Sequence, residues 1–115
     1  MFDFYSMENN KSTRAIARYE DEDGLIIDTC FVTDSRLPIE TAVSHPEYND
    51  GSFIVVECYE DEFSALAGHQ AWVNRMISDE LPEQLQDVGA SFWPSLGRTL
   101  YGDDYGVYKR TPRKE

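Results

Sequence analysis

Phe53-Ile54-Val55-Val56-Glu57-Cys58-Tyr59-Glu60-Asp61-Glu62-Phe63-Ser64-Ala65-Leu66-Ala67-Gly68-His69 is the stretch in which the chain changes its period. Up to Tyr59 the residues are mostly β-branched, aromatic or small and apolar, which suits a strand. After Asp61 apolar residues recur at helical spacing. Phe63, Leu66, Val73 and Ile77 fall on one side, Ala65, Trp72 and Met76 widen that stripe, and Ser64, Gly68, Asn74 and Arg75 lie opposite. Asp61 is placed to cap the free amides of the first turn, and Glu60 and Glu62 lie near its positive end. Leu81-Pro82 stops the helix, with Glu83 to Val88 expected to form one more turn.

Working back from this strand–helix junction, three more strands are expected. Arg14 to Tyr19 alternates in character, and Glu20-Asp21-Glu22-Asp23-Gly24 joins it to a β-rich run from Leu25 to Thr33. In that run Ile27, Thr29, Phe31 and Thr33 share one face, and Ile26, Cys30 and Val32 share the other. Asp34-Ser35-Arg36-Leu37-Pro38 turns the chain into Ile39 to Ser44, and His45 to Gly51 closes a second hairpin onto Phe53 to Tyr59. The expected fold is α+β: a mainly antiparallel four-stranded sheet packed by one long helix. Its 115 residues form one domain, with a loose arm at 1–12, a body at 13–88 and an irregular, aromatic-rich extension at 89–115.

Charge narrows the function classes. Twenty-two acids against ten bases give −12, which argues against direct binding to nucleic acid or anionic membranes. Residues 1–87 hold nineteen acids and five bases, a net of −14, and residues 88–115 hold three and five, a net of +2. Neither Leu25-Ile26-Ile27 nor Phe53-Ile54-Val55-Val56 approaches the roughly 20 residues of a membrane span, and no basic region precedes the N-terminal aromatics. A cytoplasmic protein is expected. Cys30 and Cys58 lie in strand-like runs and read as small buried apolar groups rather than a disulfide framework or a zinc site.

Glu40-Thr41-Ala42-Val43, then Tyr59, then Ala65-Leu66-Ala67-Gly68-His69 with Trp72-Val73 resembles small uncharacterised proteins of tailed phages and prophages over residues 25–77. The resemblance implies phage origin and no activity. Those relatives often carry Asp-His after the second strand, where this chain has Asp34-Ser35, so a site built on that histidine is absent here.

No catalytic constellation stands out. His69 falls within the apolar stripe, where it reads as a core histidine bonded to the sheet, with Glu40 as partner. The competing reading is a small enzyme centred on it. A glycine-flanked nucleophile is missing, and Asp103-Asp104 reads as a solvated turn. Neither a metal nor a cofactor is expected. What remains is acid: Glu20, Asp21, Glu22 and Asp23 at a hairpin tip, and Glu57, Glu60, Asp61 and Glu62 where strand meets helix. Carboxylates along a strand or helix face repeat at about 6–7 Å, comparable to phosphates along a DNA strand. Trp93, Tyr101, Tyr105 and Tyr108 lie beyond the regular pattern and are candidate contact residues, with Phe92, Trp93 and Leu96 also expected to cap the sheet and only the chain after Gly102 expected to be separable from the fold. The expected role is a non-enzymatic interaction protein that binds and inhibits a basic, nucleic-acid-handling host protein (a defence effector, nuclease or transcription component), nucleic-acid mimicry being one route. A minor virion protein is the alternative, and self-association is open to either.

Overall fold

A computed structural model describes residues 13–32, 37–89, 92–102 and 105–112. Strands β1 (Thr13–Glu20), β2 (Ile26–Val32), β3 (Ile39–Ser44) and β4 (Ile54–Tyr59) form an antiparallel sheet in sequence order. Helix α1 (Glu62–Met76) returns across one face and packs against all four strands. The chain continues through β5 (Gln84–Gln86), α2 (Phe92–Tyr101) and β6 (Val107–Lys109), with β5 and β6 paired in a separate two-stranded ribbon. The arm at 1–12, the turn at 33–36 and Asp103-Asp104 lie outside the described residues.

Local chemistry sets the turns. Between β1 and β2, Asp21 Oδ1 accepts the amides of Asp23 at 2.9 Å and Leu25 at 3.2 Å, and Gly24 takes φ 97°. That backbone suits glycine, which has no Cβ to clash. Between β3 and β4 a short 3₁₀ turn, Asn49–Gly51, follows Tyr48, which is buried and donates its hydroxyl to the Pro82 carbonyl. Asp61 caps α1, its side chain accepting from the Ser64 amide at 2.8 Å.

The faces of β2 fall as the alternation predicts, with Leu25, Ile27 and Thr29 buried toward α1. In β4 the register slips by one residue between Thr41 and Ala42, leaving Val56 unopposed. Such a bulge resets the alternation, so Ile54 and Val56 before it and Glu57 and Tyr59 after it all look toward the helix. Ile27, Val43 and Ile54 meet Val73 and Met76 in the larger apolar cluster, which Leu85 of β5 joins and against which Tyr108 of β6 packs. Ile39, Tyr59 and Ala65 form the smaller one.

Three expectations change. The buried line of α1 is Ala65, His69, Val73 and Met76, while Phe63 (86% exposed), Leu66 and Ile77 point to water. At about 100° per residue the true stripe is turned by roughly 80° from the one the large apolar residues suggest. Within residues 83–88, where a helical turn is expected, Gln84–Gln86 form β5. The C-terminal extension holds regular structure, because its breakers serve packing. Gly97 sits inside α2 where a Cβ would lie 2.3 Å from the Tyr105 ring, and Arg98 fixes α2 by donating to the carbonyls of Asp87 at 2.8 Å and Gly89 at 2.6 Å.

Candidate functional site

His69 stands at one end of a chain of hydrogen bonds through the helix–sheet interface. Its Nδ1 lies 2.7 Å from Thr29 Oγ1, which lies 2.6 Å from Thr41 Oγ1, which lies 2.9 Å from the Tyr59 hydroxyl. Tyr59 donates to Glu57 Oε1 at 3.1 Å, and Trp72 Nε1 donates to the same oxygen at 2.9 Å. Each hydroxyl has one hydrogen, and an ionised carboxylate only accepts. With Tyr59 committed to Glu57, Thr41 must donate to Tyr59, Thr29 to Thr41, and His69 Nδ1–H to Thr29. The donor balance thus assigns the Nδ1–H tautomer to the neutral ring.

Burial lowers the His69 pKa, and the Asp28 charge partly offsets it. Burial pushes the Tyr59 phenol up to about 12; the bond from Thr41 works against that and Glu57 adds to it. Both groups hold their neutral forms near pH 7, as a structural hydrogen-bond chain requires. Glu40 is not the partner of His69. It opposes Cys30 and Cys58 on neighbouring strands, and alternation puts it on the face away from α1 while Thr41 looks inward. Both cysteines are half-buried thiols outside any disulfide, and burial, with Asp28 and Glu40 nearby, pushes the Cys30 thiol to about 11.

The acids occupy two places. Glu57, Glu60, Asp61 and Glu62 lie at the start of α1. There Glu57 is held by Tyr59 and Trp72, Asp61 is the cap, and Glu60 and Glu62 are exposed beside Phe63. Glu20, Asp21, Glu22 and Asp23 lie at the other end, about 22 Å away along the 15 residues of α1. The fold does not merge the two sets into one surface.

At that second end the structure adds groups that sequence reasoning missed. A cleft of about 610 Å³ opens between the β1–β2 turn, the β3–β4 turn, the exit of α1 and the segment after β6. Leu25, Met76 and Leu81 supply apolar surface, Tyr19 an aromatic wall, and Asp21, Asp23, Glu47 and Asp79 the carboxylates. Arg110 enters from the β6 side, its Nε 2.5 Å from Glu47 Oε1. His45 lines the cleft and is buried, accepting the Glu47 amide on Nδ1 at 3.0 Å. A signal for this convergence existed in the connectivity. In a four-strand meander followed by a returning helix, the first turn, the third turn and the helix exit share one end.

Among the aromatics, Tyr101 (74% exposed) and Tyr105 (38% exposed) stack with centroids 6.0 Å apart. Tyr108 is half-buried against the larger core cluster, so it belongs to the fold. Trp93 lies on α2, and its side chain is outside the described residues.

Among the described residues no three His, Cys, Asp or Glu side chains stand together so as to hold a metal ion, and no helix is long and apolar enough to cross a membrane. No protein-family model, curated protein or solved structure matches the chain.

Proposed function

We propose that the protein is a non-enzymatic interaction protein whose acidic end engages a basic, nucleic-acid-handling host protein, the phage-type role its sequence features imply. One observation carries this reading: carboxylates from three separate segments, at Asp21 and Asp23, at Glu47 and at Asp79, line a single cleft. Folding alone does not ask for that. Asp21 builds its turn and Glu47 anchors Arg110, but Glu22, Asp23, Asp79 and Glu80 are exposed at the same end. A concentration of one charge sign at one end steers a basic partner toward it. The exposed Tyr101–Tyr105 stack is a further contact surface of the kind that contributes tight binding. His69 supports the non-enzymatic side of the reading, because it is buried between helix and sheet.

The test is kinetic. Association with a basic nucleic-acid-binding protein from the host should slow as salt rises from about 50 to 300 mM, and the bound protein should displace nucleic acid from that partner. Replacing Glu20, Glu22, Asp23 and Asp79 together by lysine should remove most of the salt dependence, Asp21 being left to build the turn. Association indifferent to salt, or a complex that still holds its nucleic acid, sinks the proposal.

A further inference from the structure

The cleft at the acidic end carries a sharper inference, one that rests on the reading of a basic partner. We infer that it is an arginine-receiving pocket: a partner's arginine side chain lays its stem on the apolar surface and its guanidinium among the carboxylates at the mouth.

Three features select this occupant. First, the lining joins apolar surface from Leu25, Met76 and Leu81 to the carboxylates of Asp21, Asp23 and Asp79, which matches a side chain with an aliphatic stem and a cationic head. Second, the carboxylates surround the opening without converging, and among the described residues no cluster suited to a metal ion exists. A delocalised, planar cation with five N–H donors can serve several separated acceptors, whereas a point charge cannot. Tyr19 adds an aromatic wall of the kind guanidinium groups pack against. Third, the protein already seats one guanidinium at this edge. Arg110, whose guanidinium binds Glu47, lines the cleft beside the carboxylates of Asp21, Asp23 and Asp79.

Both rims are fixed before anything binds. Asp21 is held by the amides of Asp23 and Leu25, and opposite it the Ser78 hydroxyl lies within a turn 3.1 Å from the Arg75 carbonyl and 3.0 Å from the Glu80 carbonyl, its one hydrogen serving either. A preset pocket spares the ordering that binding would otherwise require.

The experiment titrates the full chain with acetyl-Gly-Arg-Gly-amide, and with the same peptide carrying citrulline or lysine in place of arginine, following backbone amides by NMR. The arginine peptide should move the amides of residues 23–25 and 78–81. Citrulline, neutral and nearly isosteric, should bind at least roughly fivefold more weakly, and lysine should fall between. Asp23→Asn with Asp79→Asn, both on exposed residues, should weaken the arginine peptide by a similar factor and leave the melting temperature unchanged. Equal binding of citrulline or lysine, shifts centred on residues 60–63, or no effect of the double substitution overturns the pocket. In any of those cases salt-dependent association with a basic partner can still hold, so failure here is distinguishable from failure of the broader function.

Discussion

Two rungs of the sheet, two residues apart, face the same helix with opposite chemistry. Ile27, Val43 and Ile54 line up across β2, β3 and β4, each 1% exposed or less; Thr29 and Thr41 line up on the next inward rung, both fully buried. The first rung meets Val73 and Met76, and the second meets His69. Equal burial thus produces an oily contact at one level and a chain of hydrogen bonds at the other. The oily rung accepts many shapes of similar volume, whereas the hydroxyl rung fixes helix rotation and register through the positions of single atoms.

The comparison breaks most visibly if the oily side loses its cover. A stop after Gly102 removes β6, and with it Tyr108 from the core, the β5 ladder and the Arg110–Glu47 pair. The expected loss is about 4–6 kcal/mol, read as a collapse of the thermal transition in circular dichroism. Stability within a degree of the full chain would show the ribbon to be an ornament. Next comes Ile27→Ala, which leaves a cavity in the oily rung and should cost about 3–4 kcal/mol in urea unfolding. Thr29→Val keeps volume but strands the His69 Nδ1–H and cuts the chain, for about 2 kcal/mol. A Thr29→Val protein as stable as the parent would mean the hydroxyl chain contributes nothing.

Gly68→Ala sharpens the contrast. In an exposed helix the change stabilises by about 1 kcal/mol. Here the new Cβ would fall 2.3 Å from the Tyr59 hydroxyl oxygen, and that ring is held by Thr41 and Glu57. The expected result is a net loss of about 1 kcal/mol, and it should persist in the Tyr59→Phe background, because the ring carbons Cε1 and Cζ also lie 2.4 and 2.6 Å from the new Cβ.

The four strands, the turns before β2 and before β4 and the existence of α1 were legible in the sequence because period and turn chemistry are local. The helix face was legible in part: Ala65, His69, Val73 and Met76 fall within the sequence's apolar stripe, but its edge at Phe63, Leu66 and Ile77 faces water. Phe63, Leu66 and Ile77 are larger and more apolar than Ala65 and His69, but a rung of threonines selects small and polar partners, and that rung is visible only once β2 and β3 are in register. β5 and β6 hold one inward residue each and pair across the intervening α2, Gln84 with Lys109, so no local pattern announces them. α2 was hidden by Pro94 and by Gly97, a glycine kept for the Tyr105 ring. Of the cleft, the acids of the first turn were seen in sequence. Glu47, Asp79 and Arg110 join them only through the fold.

The smallest predicted effect is a pH dependence that belongs to the hydroxyl rung alone. Burial holds the folded pKa of His69 below its unfolded value of about 6.5. The unfolded chain therefore binds a proton before the folded one does. Stability from this source is complete above pH ~6.5, drains as pH falls through that value, and levels off below the folded pKa; the slope cannot exceed about 1.4 kcal/mol per pH unit for one proton. Because Nδ1–H already donates to Thr29, the added proton goes to Nε2 and the hydroxyl chain survives it, so the penalty comes from burying charge. Asp28 moderates that penalty, and Arg18 lies 3.3 Å from its carboxylate. The measurement is the urea midpoint between about pH 7.5 and 5.5, taken as the difference between the parent and His69→Gln so that His45 and the carboxylates cancel. The parent should lose more stability than the variant over that range. Asp28→Asn should enlarge the loss without moving its onset, which the unfolded chain sets. Burial raises the pKa of Asp28 itself, so its own contribution has the opposite sign, stability gained as pH falls through its folded pKa. Asp28→Asn/His69→Gln beside His69→Gln measures that part. A parent and His69→Gln that respond to pH identically would mean the imidazole takes up its proton as readily in the fold as in water, and the inward rung would then be wetter than its bonding implies.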